Sequence, residues 1–134
     1  MEDLNILYVE DDELSCEVME ALLTRGLGYK NFTVFENSSE FMQRLQALSK
    51  KPDIIFLDIH MEPFDGFEML RQVRKDKNFD ATKIVAFTAS VMNEEVKLLR
   101  EAGFDGVFAK PLAVEAFPSA LHRILNGEQL WIIK

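Results

Sequence analysis

Asp53-Ile54-Ile55-Phe56-Leu57-Asp58-Ile59-His60-Met61 is an apolar run that stops at a carboxylate and enters a loop, continued by Glu62-Pro63-Phe64-Asp65-Gly66. Consecutive apolar residues ahead of a loop predict a strand buried on both faces, as in a parallel sheet. Asp58 then lies at the strand's C-terminal end, the edge where open α/β sheets gather their ligands. Three other apolar runs end in chemically useful residues. Leu4 to Val9 runs into Glu10-Asp11, Ile84 to Phe87 into Thr88, and Val107 to Ala109 into Lys110.

Helical patterns fill the gaps between these runs. Leu14, Val18, Ala21 and Leu22 fall at helical spacing, with Gly26 or Gly28 as the stop. A short strand, Phe32 to Phe35, follows, and Asn37 or Ser38 can cap a helix whose inward face is Phe41, Leu45 and Leu48. After Asp58 and the Asp65-Gly66 turn, Phe67, Leu70 and Val73 carry a third helix. Val91 to Ala102, stopped by Gly103, is a fourth, and Val114 to Leu125 a fifth, with Pro118 close enough to its start to be tolerated. Strand and helix alternate from end to end, which predicts five βα units: an open parallel sheet covered by helices on both faces. Its strand ends converge on one rim, which brings residues distant in sequence into one site.

The chain has 134 residues, 48% of them apolar, enough for one domain around one core. Acidic residues outnumber basic ones 23 to 15, for a net charge of -8, and no basic stripe interrupts this. Such a surface repels phosphate backbones and argues against direct nucleic-acid binding. No apolar stretch approaches a membrane span and Met1-Glu2-Asp3 lacks the basic start of a signal peptide, so a cytoplasmic protein is expected. The lone Cys16 reads as a buried structural thiol.

Glu10, Asp11 and Asp58 on adjacent strand ends repel one another. At about 4 Å and an effective dielectric near 20, each like-charged pair costs on the order of 4 kcal/mol. A divalent cation and the Lys110 ammonium are the available remedies. The all-oxygen donors suit Mg²⁺, and no His/Cys cluster has zinc-like spacing. A carboxylate beside Mg²⁺, a lysine and the Thr88 hydroxyl is poised to attack a phosphoryl group, giving an aspartyl phosphate.

At this point a resemblance emerges. Ile6-Leu7-Tyr8-Val9-Glu10-Asp11-Asp12, Asp53 to Met61, Phe87-Thr88-Ala89 and Ala109-Lys110-Pro111 resemble the four signatures of bacterial two-component response-regulator receiver domains. The separations match too, 30 residues from Asp58 to Thr88 and 22 from Thr88 to Lys110. The resemblance spans roughly residues 4 to 126 and implies a flavodoxin-like (βα)5 fold with a doubly wound five-stranded sheet in the order 2-1-3-4-5. Residues 1–126 are then the receiver domain and 127–134 a short apolar tail.

By position, Asp58 resembles the phosphoacceptor. Asp11 resembles the direct Mg²⁺ ligand, joined by Asp58 and the backbone carbonyl of His60, with Glu10 acting through water; Mn²⁺ can stand in for the metal. Thr88 resembles the switch hydroxyl, Lys110 the ion-pairing lysine, Pro111 the cis proline after it, and Ala89 leaves room for the phosphoryl group. The implied function is a stand-alone, single-domain response regulator. A histidine kinase or histidine phosphotransfer protein would supply the phosphoryl group, and a downstream protein target would read the result. Homodimerisation through the face of fourth helix, fifth strand and fifth helix is a further implication. The protein would be an enzyme only toward itself, catalysing its own phosphorylation and dephosphorylation.

Three positions depart from the family pattern. Val107 stands three before the lysine, where an aromatic residue is common, and strand alternation sends neighbouring Phe108 to the opposite face. Glu62-Pro63 replaces a common Pro-Gly. The tail from Gln129, with Leu130, Trp131, Ile132 and Ile133, extends past the usual end and can pack back on the domain or form a partner surface. Two other readings stay open: a pseudo-receiver acting as a docking module, and an Asp-nucleophile, metal-dependent phosphatase. Against the latter, haloacid-dehalogenase phosphatases carry an acid/base Asp two residues after the nucleophile, where this chain has His60.

Overall fold

β3, Ile54–Asp58, is buried at every position and lies inside a parallel sheet. The computed structural model describes residues 4–90 and 92–133. β1 (Asn5–Val9) and β2 (Asn31–Phe35) lie on one side of β3; β4 (Lys83–Thr88), β5 (Gly106–Ala109) and β6 (Leu130–Ile133) lie on the other. The order is β2-β1-β3-β4-β5-β6, every pair parallel. The five expected strands and their order are present. The sixth comes from the apolar tail, which continues the sheet beyond β5.

Alternation along the strands splits the core into two apolar layers. Leu7, Ile55, Leu57, Ile84, Ala86 and Val107 pack with α2 (Phe41–Gln46), α3 (Gly66–Arg74) and α4 (Asn93–Ala102). Tyr8, Ile54, Phe56, Phe87 and Phe108 pack with α1 (Glu13–Glu20) and α5 (Phe117–Leu125). Val107 and Phe108 do face opposite layers, as alternation requires.

Several helix details differ from the sequence expectation. The buried side of α1 and the π-helical turn that extends it, Ala21–Gly26, centres on Met19 and Leu23, while Leu14 is 66% exposed. The stripe predicted from Leu14 is rotated because Met19 and Leu23 fill the space over β1. α2 starts at Phe41 behind Glu40, whose φ is +49°, and not at an Asn37 or Ser38 cap. Ser38 is spent elsewhere: its buried hydroxyl accepts from the Phe64 N–H and donates to the Phe64 carbonyl, both at 2.7 Å. α5 starts at Phe117, three residues later than expected. A helix begun at Val114 would bring the Pro118 ring against the Val114 carbonyl, so the proline is confined to the first turn. Val91, the expected start of α4, lies outside the described residues, which place the helix from Asn93.

β6 is held on both faces. Leu130 is buried in the layer of α5, and Trp131, level with Val107, is half-buried in the layer of α4 with the Arg100 guanidinium 5.1 Å from its ring centre. Gly106 permits this approach, since a Cβ there would stand 3.1 Å from the Leu130 carbonyl oxygen and 3.0 Å from Ile124 Cδ1. Among the described residues no helix is long and apolar enough to cross a membrane.

Candidate functional site

Glu10, Asp58 and Lys110 each lie two residues beyond an aromatic of the α1/α5 layer, namely Tyr8, Phe56 and Phe108. Alternation therefore sends all three toward the same side at the C-terminal rim. Glu10 is fully buried and Asp58 is 5% exposed, while Asp11 is exposed. Carboxylate oxygens of Glu10, Asp11 and Asp58 lie within 4.8 Å of one another.

Lys110 supplies the counter-charge. Its Nζ is 2.8 Å from Glu10 Oε1 and 3.5 Å from Asp58 Oδ2, so its shorter contact is with Glu10. Burial pulls the lysine pKa down, but the hydrogen bond to Glu10 and the charges of Asp58 and Glu10 outweigh it and hold the pKa above the usual lysine value. Glu10 also accepts from the Tyr8 hydroxyl on Oε1 at 3.1 Å and from the Asp12 N–H on Oε2 at 3.2 Å. Asp58 accepts from the His60 N–H on Oδ1 at 3.3 Å, and the His60 side chain is exposed.

The flanking loops are fixed locally. Asp12 caps α1, accepting from the Ser15 hydroxyl at 2.6 Å and N–H at 2.9 Å, which keeps its carboxyl below the usual range. In the β3–α3 loop, Asp65 and Glu68 form a reciprocal capping box. Gly66 is required at its position because a Cβ would fall 2.6 Å from Ile59 Cδ1 and 3.0 Å from Ile59 Cα. Thr88 is buried at the end of β4. Its hydroxyl donates to the Ser90 carbonyl at 3.2 Å and accepts from the Ser90 N–H at 3.1 Å. The Lys110–Pro111 and Glu62–Pro63 peptides are both cis.

The structure thus gathers Glu10, Asp11, Asp58 and Lys110 and sets Thr88 on the neighbouring strand end. Cys16 is half-buried and donates to the Glu10 carbonyl at 3.5 Å; burial, aided by the surrounding carboxylates, pushes its pKa up to about 11. Two contributors escape the sequence reading, Tyr8 and Ser38. Tyr8 carries one available signal: a phenol inside a buried run needs a partner for its hydroxyl, and Glu10 lies two residues on along the same face.

Comparison with known proteins fits this geometry. The family model described as the response regulator receiver domain matches residues 6–122. The chain is 32% identical over 123 residues to the sensor histidine kinase AruS of Pseudomonas aeruginosa, covering 90% of this chain and 12% of that protein. It is 26% identical over 122 residues to the polar-differentiation response regulator DivK of Brucella anthropi, covering 91% of this chain and 96% of that one. It is also 27% identical to stress response regulator protein 1 of Scheffersomyces stipitis, spanning 81% of this chain but only 37% of that relative's length. Among solved structures, a receiver domain of a sensor histidine kinase from Pseudomonas aeruginosa superimposes with a TM-score of 0.79 at 26% identity, covering 93% of this chain and 99% of that one. That structure has a magnesium ion coordinated in its active-site cleft. A flavodoxin-like parallel sheet, acidic residues and a lysine at its C-terminal rim, and a family match over most of the length together make this chain a member of the response regulator receiver domains.

Proposed function

We propose that Asp58 accepts a phosphoryl group from a phosphohistidine on a histidine kinase or phosphotransfer protein, and that the modified domain alters contacts with a downstream protein. The observation that carries this reading is the placement of Asp58. Its buried carboxylate ends β3, within ion-pairing distance of Lys110 and beside the oxygens of Glu10 and Asp11.

In the transfer, an Asp58 carboxylate oxygen attacks phosphorus, the P–N bond breaks, and the imidazole leaves and takes up a proton. The donor set of Asp11, Asp58, the His60 carbonyl and, through water, Glu10 is all oxygen and fits Mg²⁺, with Mn²⁺ able to use the same donors. When bound, the metal supplies positive charge against the converging carboxylates and the phosphoryl oxygens. Lys110 then pairs with a phosphoryl oxygen, and the Thr88 hydroxyl turns from the Ser90 carbonyl to another. Hydrolysis of the aspartyl phosphate resets the site, so the domain turns over no separate substrate. Exposed Leu14 and Val114 flank a crevice of about 280 Å³ beside Lys110 and supply apolar surface for the phosphodonor.

Output, and any self-pairing, runs through α4, β5 and α5, with β6 taking part because it touches both helices. This reading places the domain in the cytoplasm. Incubation with acetyl phosphate and Mg²⁺ should add one phosphate to the intact mass, and Asp58→Asn should add none. A variant that still gains the phosphate at the wild-type rate would displace the assignment.

A further inference from the structure

We infer that Tyr8 is a positioning residue for phosphoryl acceptance, its hydroxyl holding the buried Glu10 carboxylate while Lys110 moves from Glu10 to the phosphoryl group on Asp58. The inference rests on the reading of Asp58 as the phosphoacceptor.

Lys110 is shared unequally between two carboxylates. Its 2.8 Å contact is to Glu10, and its 3.5 Å contact is to Asp58. Service to a phosphoryl group on Asp58 therefore requires Lys110 to loosen its stronger bond. Glu10 is closed off from bulk solvent, so beyond a water held on the metal it depends on donors of the protein itself. A buried carboxylate deprived of its cation carries a large penalty unless other donors remain. Two do: the Asp12 N–H on Oε2 and the Tyr8 hydroxyl on Oε1, the same oxygen that Lys110 vacates. Because Tyr8 and Lys110 share that oxygen, the phenol's bond strengthens as the ammonium departs.

Packing alone does not require the hydroxyl. Tyr8 is 2% exposed and its ring lies against Phe32, Phe56 and Phe87 at centroid distances of 6.5, 6.5 and 5.7 Å. Its register partner on β3 is Phe56, which fills the same layer with a bare ring. The phenol oxygen is the one part of Tyr8 that reaches the rim, and its hydrogen bond goes to Glu10. The ring gives the donor a fixed origin, so the carboxylate keeps its orientation when the lysine moves.

The test is a double-mutant cycle of Tyr8→Phe and Glu10→Gln, read as the apparent affinity for beryllofluoride, a phosphoryl mimic, at saturating Mg²⁺. Phenylalanine keeps the ring and its three aromatic neighbours, so the fold is retained. Tyr8→Phe alone should weaken mimic binding roughly five- to tenfold, less than the full worth of a hydrogen bond to a charged group because the bond already exists before the lysine moves and only its strengthening counts. In the Glu10→Gln background, where no buried charge remains to be held, the same substitution should change affinity less than twofold. A merely structural role of Tyr8 would leave equal losses in both backgrounds. Equal losses, or none in either, overturn the inference. If the wild type itself neither binds the mimic nor gains phosphate from acetyl phosphate, the assignment of Asp58 fails, and this inference with it.

Discussion

Lys110 belongs first to Glu10, and that preference shapes what its removal does. The folded-state pKa of Lys110 is raised, so the pair's stabilisation is fully present at neutral pH. It fades only as pH climbs past 10.5, the ordinary lysine value, and through the folded one. Lys110→Ala leaves a buried carboxylate without its cation and should cost about 2 to 3 kcal/mol in metal-free urea unfolding, somewhat less than a fully buried pair because the lysine itself is partly exposed. A loss under about 0.5 kcal/mol would mean that Glu10 is satisfied without it. Cys16 offers an independent check of burial beside the acidic rim. With its pKa pushed up to about 11 from 9.0, the thiolate fraction at pH 8 falls roughly a hundredfold. Iodoacetamide should therefore label the native thiol very slowly and the urea-unfolded thiol at an ordinary rate; equal rates would contradict the burial. Asp58, Asp11, Glu10, Thr88 and Lys110 were legible in the sequence because each interrupts or ends an apolar run. Lys110's preference for Glu10 and the Tyr8 contact were not, because they depend on side-chain reach after strands are placed side by side.

Among the elements, β6 is a strand that period and spacing did not reveal. Leu130-Trp131-Ile132-Ile133 has the composition of a strand, but a four-residue apolar tail reads equally as a segment packed back on the domain or as a partner surface. Its partner, the outer edge of β5, becomes visible only when Gly106 is seen to admit the Leu130 backbone. Gly106→Ala should cost about 1 to 3 kcal/mol through overpacking against Leu130 and Ile124. It should also shift the fluorescence of Trp131, the chain's one tryptophan, toward that of a solvated indole. Unchanged stability and emission would show that β6 is held without the close approach. The start of α5 is set by a residue already visible in the sequence. Pro118 is tolerable near a helix start, but its clash with residue i−4 sets the boundary itself. Ser38 likewise has the chemistry of a helix cap but bridges to Phe64 across the rim, a long-range use that no local pattern encodes.

At the scale of the whole molecule, the layers followed from alternation and the strand order from the family resemblance, while the acidic surplus bears on metal and signal. Mg²⁺ binding to the native state alone should raise stability by about 2.7 kcal/mol at 100 times its dissociation constant. Asp11→Ala should remove most of the corresponding thermal shift, and a shift that survives would locate the metal elsewhere. Phosphorylation adds about -1.5 to -2 charge to a chain already at -8, so the response has to be an ordered local change and not a general tightening. Hydrogen exchange with beryllofluoride should show altered protection in residues 58–66, in 88–112 and along β6. Changes confined to 58–66 would divert output from α4 and β5 to α3.

The parallel course of β6 also determines where the backbone points when it leaves the sheet. After α5 the chain is at the edge opposite the site; running along β5 returns it, so that Ile133 stands level with Phe108, two residues short of Lys110. A fluorophore or tether joined beyond β6 would emerge next to the phosphorylation rim, where it can report on or obstruct a docking partner. The same attachment beyond α5 would hang from the far side, out of reach of both.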